Sequence, residues 1–352
     1  MEVESSSSPG KPPLLRRLAP ALALLVLSPV CAEYLIGYDQ IIGHPWELIS
    51  GLLLLAPLYG TVAVIIREVT RRTGRGWPTI LLLSMAFGVV EAGLIDQSLF
   101  NPHSFSDASW AEGRLPTLIP ALGISVHNVL GFVGGHVIWS FAAPIVVIES
   151  CVPQLADRPW LRRGGMTAMV ALYALAVVIF FHEHTKKFMA SPAQLGIAAT
   201  VALTLAVTAF VLPRRRATVP GRVPPPWLAG GGAVVLLATH QLVPPSWSGT
   251  AVDGAVLVLG GGLLLYWSRR ERWGRLHALM VGGAALVVNA GLSFAVEPLG
   301  APTSHVAKYG ANVVLMLAVV ALLAWAFRRV HHHVRQAGPT TDALRHHAAT
   351  AP

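Results

Sequence analysis

Residues 78–100 read PTILLLSMAFGVVEAGLIDQSLF, and this stretch decides the fold of the chain. It is 23 residues long, and its first ionisable side chain is Glu91. A helix rises about 1.5 Å per residue, so about 20 apolar residues cross the roughly 30 Å hydrocarbon core of a bilayer. The stretch is therefore predicted to be a transmembrane helix that carries acidic side chains near its end.

The composition of the whole chain agrees with this prediction. Of the 352 residues, 54% are hydrophobic and 12% are charged, and the mean hydropathy is +0.59. A soluble domain carries about 25% charged residues, so the composition excludes a cytosolic enzyme, a disordered chain and a disulfide-stapled secreted domain. The expected partner is the lipid bilayer. The net charge of +9 does not indicate nucleic acid, because the basic side chains fall in short clusters between apolar runs.

Ten apolar runs are long enough to cross a membrane, which predicts an all-α, polytopic transmembrane helix bundle. The shortest two, the fifth and the seventh, have about the minimum of 17 residues. The ten predicted spans are 18–36, 47–66, 78–100, 124–151, 166–182, 193–212, 227–243, 250–268, 276–296 and 307–327.

The basic side chains alternate between the two sides of these spans. Twenty-two of the 26 Lys and Arg residues lie in the two tails and in every second connection. The remaining four are Arg114, Lys186, Lys187 and Lys308. Because cytoplasmic loops carry the excess of Lys and Arg, both termini are predicted to be cytoplasmic. The strong preference for Arg over Lys suggests a bacterial protein, and hence the bacterial plasma membrane.

This topology divides the chain into four segments. Residues 1–17 are predicted to be a cytoplasmic tail, 18–151 to hold spans 1–4 with the intramembrane polar residues, and 152–330 to hold the mostly apolar spans 5–10. Residues 331–352 are predicted to be a disordered, His-containing cytoplasmic tail. Cys31 and Cys151 fall toward opposite faces of the membrane, so neither a disulfide nor a thiolate metal site is expected.

Spans 3 and 4 contain Glu91, Asp96, His127, Asn128 and His136. An ionisable side chain inside the bilayer costs about 2.5–3.5 kcal/mol on insertion scales. Several such residues in adjacent spans therefore predict a paired or functional site that faces the interior of the bundle.

The depths of these side chains in the membrane, counted along spans 3 and 4, favour two pairs: Glu91 with His136 and Asp96 with His127. At about 100° per residue, however, His127 and His136 point about 180° apart on a regular helix. The pair of Glu91 and His136 is the preferred hypothesis. Such a pair can activate a water molecule, hold a metal ion or relay protons, or it can simply join two helices by a hydrogen bond.

Other polar residues of the first half are interpreted as structural. Glu33 lies near the outer end of span 1, and Arg67 with Glu68 forms an interfacial pair at the inner end of span 2. Glu149 ends span 4 and is expected to reach headgroup water or an arginine such as Arg162.

The second half offers fewer candidates. Asn289 is interpreted as the one deep polar side chain of spans 5–10, and His240 is placed at an outer span end. The HEH triplet at 182–184 and the run at 331–333 contain imidazoles that can bind metals, but their spacing matches no known ligand motif. The metal and cofactor content therefore stays undetermined.

Three segments carry a family resemblance: APLYG (56–60), IIREVTRRTGRGWP (65–78) and GVVEAGLIDQSLFNP (88–102). Together they resemble a group of uncharacterised bacterial polytopic membrane proteins. This resemblance implies the fold and the membrane location, and it implies no activity.

A second, partial resemblance is to the CPBP intramembrane proteases, a family that includes CAAX prenyl endopeptidases. Glu91 matches the first glutamate of the family's Glu-Glu motif, and Phe132 to His136 match its F-x-x-x-H. The resemblance implies that Glu91 activates a water and that His136 stabilises the oxyanion. The second glutamate is replaced by Ala92, and the following arginine and the downstream H-x-x-x-N/D are absent.

Three functional hypotheses follow from these residues. The first is a CPBP-like intramembrane hydrolase that uses Glu91 and His136, with Asp96, His127 and Asn128 as further candidates. The second is a transporter of a small molecule or of protons in which the same residues bind substrate or relay protons. The third is a membrane scaffold with a paired polar contact.

Overall fold

The computed structural model describes residues 14–39, 41–103, 108–214, 218–299 and 304–336. These residues form ten long helices, which we number α1 to α10. Helix α1 is Leu14–Pro29 and continues as a π-helical turn at Val30–Tyr34. The others are α2 (Pro45–Arg72), α3 (Trp77–Ile95), α4 (Val126–Cys151), α5 (Arg163–Thr185), α6 (Pro192–Val211), α7 (Pro226–Leu242), α8 (Trp247–Trp267), α9 (Arg275–Leu292) and α10 (His305–Gln336).

Each predicted span corresponds to one of these helices, so the all-α polytopic bundle is confirmed. Nine of the helices in the described ranges have at least 18 residues and are apolar enough to cross a membrane. The tenth, α7, has 17 residues, or about 25 Å of helix at 1.5 Å per residue. Helix α10 continues to Gln336, so residues 331–336 of the predicted disordered tail are helical. Residues 1–13 and 337–352 lie outside the described residues.

The connections show that the helices alternate in direction. Arg75, after α2, donates to the backbone carbonyl of Leu212 at the end of α6. At the other end of the bundle, the Gln97 side chain after α3 accepts from the backbone N–H of Ala190 before α6. We call the end that contains the connections 67–75, 152–165, 213–226 and 268–275 the arginine-rich end. The opposite end is the arginine-poor end.

Burial separates central helices from peripheral ones. In α1 to α4 and α9, between 39% and 61% of the most apolar window is buried inside the bundle, against at most 17% in α5, α6, α8 and α10. The peripheral helices expose Leu, Val and Ile side chains, which costs nothing when lipid tails surround them. The polar side chains of α1 to α4 are therefore held at the centre of the bundle.

Residues at the first turn determine where several of the helices begin. Proline occupies the first turn of α2, α3, α6 and α7, where its missing N–H would have no partner in any case. Helix α6 also has a capping box, in which Ser191 accepts from the Gln194 backbone and Gln194 accepts from the Ser191 backbone.

Helices α1 to α4 each contain one π-helical turn. The four turns are Val30–Tyr34, Ala56–Gly60, Glu91–Ile95 and His136–Ala142. Prolines lie beside or within three of them, at Pro29, Pro57 and Pro144. A proline removes one backbone hydrogen bond from a helix. A π-helical turn, or π-turn, is one way in which the helix accommodates the missing bond.

The segment before α4 covers the arginine-poor end of the bundle. A short helix, Ala108–Arg114, is followed by a hairpin in which β1 (Leu118–Ile119) pairs antiparallel with β2 (Ile124–Ser125). The guanidinium of Arg114 donates to the backbone carbonyl of Gly123 at 2.8 Å. This hydrogen bond ties the short helix to the hairpin turn.

A buried ion-pair cluster closes the arginine-rich end. Arg67 and Glu68, predicted as an interfacial pair, are both fully buried, and Arg67 Nη1 lies 2.7 Å from Glu68 Oε1. Arg67 also donates to Glu149 at 3.1 Å, and Arg71 donates to the same carboxylate at 2.6 Å. Glu149 therefore pairs with these two arginines rather than with headgroup water or Arg162.

Candidate functional site: a buried acidic cluster

The four π-turns carry the polar side chains at the centre of the bundle. Glu33 lies in the turn of α1, Tyr59 in that of α2, Glu91 begins the turn of α3, and His136 begins that of α4. A π-turn is rare and is often found at functional sites, because the extra residue re-aims the side chains that follow it. Four such turns on four neighbouring helices mark this region as the candidate site.

Three carboxyl groups meet there. Glu33, Glu91 and Asp96 interact electrostatically with one another. The phenol of Tyr38 donates a hydrogen bond to Glu33, and the Tyr59 side chain interacts with the same carboxyl. Burial, assisted by the charge of Glu33, raises the pKa of Tyr38 well above its ordinary value. The Tyr38 phenol therefore keeps its proton and remains a donor.

Glu91 is the member of the cluster without a hydrogen-bonding partner. Its side chain is only 7% exposed, and its carboxyl group forms no hydrogen bond within the part of the chain that the structure describes. The charged groups that act on it are Asp96 and Glu33, both of them acidic. Neighbouring carboxylates away from water cannot all be ionised, so the chemistry of this cluster is suited to binding a proton or a cation.

Asp96 follows the π-turn of α3 and is held by the connection that comes next. Its Oδ1 accepts from the backbone N–H of Ser98 at 2.8 Å, and His184 at the end of α5 contributes a favourable electrostatic interaction. Gln97 adopts a left-handed backbone with φ of 58°, which is uncommon for a residue other than glycine. Its buried amide is fixed by the backbone of Ala190 at 2.7 Å. The hydrogen bonds of Asp96 and Gln97 therefore fix the backbone conformation of the turn after α3.

His136 lies beside the acidic cluster without bonding to Glu91. Its ring stacks on Tyr59 with the centroids 5.7 Å apart, and its Nδ1 lies 3.1 Å from Ser140 Oγ. A Cβ on Gly88, one turn before Glu91, would lie 3.1 Å from the His136 Cβ. Helices α3 and α4 therefore pack closely at this level, and Tyr59 joins His136 to the carboxyl cluster.

His127 and Asn128 face a different part of the bundle from Asp96. His127 interacts electrostatically with Asp253 and His240, and its buried Nδ1 has no hydrogen-bonding partner among the described residues. Asn128 donates its backbone N–H to Ser125, while its side-chain Nδ2 is likewise unpaired in the described chain. The expected pair of Asp96 and His127 is therefore not formed.

The second half of the chain contains a buried His–Asp pair that was not predicted from the sequence. His240 of α7 and Asp253 of α8 are 6% and 1% exposed, and Nδ1 lies 2.6 Å from Oδ1. The imidazole also stacks on Trp139 of α4 with the centroids 5.6 Å apart. Asn289 is thus not the only deep polar group of this half, although it does bond to Gln241 at 2.8 Å. The available signal was an aspartate within an apolar span.

No arrangement of ligands for a metal ion is present among the described residues, where no group of three or more His, Cys, Asp and Glu side chains is suitably placed. In the triplet at 182–184, His184 bonds to the backbone carbonyl of Phe180 and Glu183 pairs with Lys186. The run at 331–333 belongs to helix α10. Both cysteines are buried free thiols.

The ten apolar helices and the buried acidic site define a multi-pass integral membrane protein. More specifically, the profile of an uncharacterised membrane protein family matches residues 22–337, and the chain belongs to this family. The match confirms the resemblance to uncharacterised polytopic membrane proteins. No curated protein and no solved structure matches the chain.

Proposed function

We propose that this protein is a proton-coupled membrane transporter in which Glu91, together with Glu33 and Asp96, binds the coupling proton. The observation that carries the proposal is the unpartnered carboxyl of Glu91, buried among other carboxyls on π-turns. Ionisable residues inside transmembrane segments commonly form proton relays and substrate sites. In the same proposal, the protein lies in the bacterial plasma membrane with both termini in the cytoplasm.

The residues packed between the site and the arginine-rich end support a conformation in which the site is closed toward that end. Tyr59 and Arg67 are eight positions apart in α2, which corresponds to about 12 Å of helix. This interval contains the buried apolar side chains of Val62 and Ile66, and beyond it lies the ion-pair cluster. Transport requires this closure to open, since a proton bound near Glu91 must be released to the other side.

The hydrolase interpretation has less support from the geometry. It requires Glu91 and His136 to act on one water molecule, whereas His136 is held by Ser140 and by stacking on Tyr59. The position of the second catalytic glutamate is Ala92, which is 1% exposed and packed in the core. A cluster that binds a proton needs only the three carboxyl groups of Glu33, Glu91 and Asp96. It does not require the groups that the hydrolase mechanism lacks here.

Proton binding can be tested with dicyclohexylcarbodiimide, which modifies buried carboxyl groups in their protonated form. We expect mass spectrometry to find an adduct on Glu91 whose yield increases from alkaline to mildly acidic pH. The adduct should be lost in Glu91→Gln and retained in Glu183→Gln, a control at an exposed carboxylate. An unmodified Glu91 at every pH would contradict proton binding. Protection by sodium chloride but not by choline chloride would assign the site to a cation instead.

Transport is tested separately from proton binding. Ser84 of α3 is fully buried between Glu91 and the arginine-rich end, and its hydroxyl has no hydrogen-bonding partner in the described chain. A transporter must admit water there in its other conformation, so Ser84→Cys should react with a hydrophilic maleimide in the native protein. Cys31 and Cys151 serve as buried internal controls. A thiol at position 84 as unreactive as these two would favour the scaffold hypothesis.

A further inference from the structure

A cavity lies at the arginine-rich end, between α1, α4 and α10. Its volume is about 610 Å³, and its walls include Ala19 and Ala23 of α1, Ile148 of α4 and Trp325 of α10. This volume falls within the range of about 300–1,000 Å³ that is typical of ligand pockets. The walls are mostly apolar, so the region, which we call the α1–α10 groove, is suited to a hydrocarbon chain.

Among the described residues that line this groove, one is basic. Arg329 lines it, and its Nε donates to the backbone carbonyl of Cys151 at 3.2 Å. Its two terminal nitrogens have no hydrogen-bonding or ionic partner within the described residues. The apolar run of α10 ends at residue 327, so Arg329 lies where lipid headgroups begin. The guanidinium is therefore positioned and free to bind an anion.

We propose that the α1–α10 groove binds one anionic phospholipid, with an acyl chain along Ala19, Ala23 and Trp325 and the phosphate on Arg329. The groove lies between membrane-spanning helices, so the molecules that surround it are lipids. Basic pockets between transmembrane helices are known to bind anionic headgroups, and guanidinium binds phosphate through paired hydrogen bonds. This site does not depend on the acidic cluster or on the proposed transport function.

The bound lipid would contact the ion-pair cluster that closes the arginine-rich end. Leu155 lines the groove, and its backbone carbonyl accepts a hydrogen bond from Arg67 at 3.1 Å. An acyl chain packed on Leu155 therefore adds to the packing around Arg67. Anionic lipid should accordingly stabilise the closed arrangement of α2 and α4.

The test is native mass spectrometry of the purified full chain with added lipid. We expect retention of phosphatidylglycerol to exceed that of phosphatidylcholine with the same acyl chains, and glycerol phosphate to be retained weakly. Arg329→Gln should weaken phosphatidylglycerol binding about fivefold, the loss expected for one arginine at the membrane surface. The matched control is Arg328→Gln, which removes a neighbouring exposed arginine that does not line the groove.

A second variant fills the groove itself. Ala23→Phe should reduce retention of both lipids, whereas Leu22→Phe, on an adjacent lipid-exposed position, should leave retention unchanged. An unchanged elution volume shows that each variant is folded. Equal effects of the two arginine variants, equal retention of the two lipids, or glycerol phosphate binding as strong as phosphatidylglycerol would each overturn the proposal. So would an Ala23→Phe variant that changes the oligomeric mass and leaves lipid retention intact.

Discussion

Arg67 shows how a charged side chain is accommodated at the end of a membrane-spanning helix. Its guanidinium bonds to Glu68, Glu149 and the backbone carbonyls of Leu155 and Ala156, and it stacks on a tryptophan ring with its Cζ 3.6 Å from the centroid. Glu68 also accepts from two backbone N–H groups of the 152–165 connection. Every polar group of this pair is therefore satisfied, which is the condition under which a buried charge is tolerated.

Removing this arginine should deprive Glu68 of its closest cationic partner and Glu149 of one of its two arginines. We predict that Arg67→Gln destabilises the protein by about 3–5 kcal/mol, the usual consequence of breaking a buried ion pair. The measurement is thermal unfolding of the detergent-solubilised protein. Arg158→Gln, at an exposed position of the same end, should change the midpoint little. Similar midpoints for the two variants would show that the cluster contributes no stability.

At the scale of the elements, the π-turns and one glycine determine how α1 and α2 meet. Gly60 ends the π-turn of α2, and a Cβ at this position would overlap the backbone carbonyl of Leu25 in α1. The close approach allows Glu33 and Tyr59 to interact. In contrast, a Cβ at Gly131 or Gly135 would meet no heavy atom within 4 Å among the described residues. The backbone contact at Gly60 is thus more demanding than the GxxxG pattern of α4.

We predict that Gly60→Ala destabilises the protein by about 3 kcal/mol, the upper part of the range for overpacking, because the blocking atom belongs to the backbone and cannot rotate away. The loss is expected to appear as a lower unfolding midpoint and a poorer yield of folded protein. The matched control is Gly261→Ala in α8, where the structure leaves open space around the Cβ. That control should be neutral or slightly stabilising, since alanine favours a helix. Equal yields and midpoints for the two variants would contradict the packing argument.

At the scale of the whole molecule, the two ends of the bundle differ in chemistry. The arginine-rich end is closed by buried ion pairs, and the arginine-poor end is covered by the segment 108–125. The acidic cluster lies nearer to the arginine-poor end. The alternation of basic connections predicts that the arginine-rich end faces the cytoplasm. Exposed residues at each end, such as Arg158 and Glu112, allow this orientation to be measured.

Single cysteines introduced at these positions should report opposite sides of the membrane. We predict that Glu112→Cys reacts with a membrane-impermeant maleimide in intact cells, whereas Arg158→Cys reacts only after the membrane is permeabilised. The two native cysteines are buried, at 0% and 2% exposure, and should give little background. Labelling of Arg158→Cys in intact cells would invert the topology and, with it, the direction from which protons reach Glu91.

Much of the architecture could be predicted because it depends on properties that can be read directly along the sequence. The length and hydropathy of each run determine whether a segment spans the bilayer, and all ten predicted spans correspond to helices. The burial of Glu91 inside the bundle was also predictable, since an ionisable side chain deep in an apolar run is costly unless it faces the interior. The family resemblance rested on the residues around the same span.

The partners of the polar residues required the tertiary structure. Depth alone paired Asp96 with His127, but the rotation of α4 directs His127 toward Asp253 and His240 and directs His136 toward Tyr59. Glu33 was placed near the outer end of span 1 without a partner, and the π-helical turn of α1 brings it to Glu91. Hydropathy and depth are properties of a residue and its immediate neighbours in the chain. Which faces of two helices meet depends on π-turns and on close contacts between residues far apart in sequence, and only packing decides these.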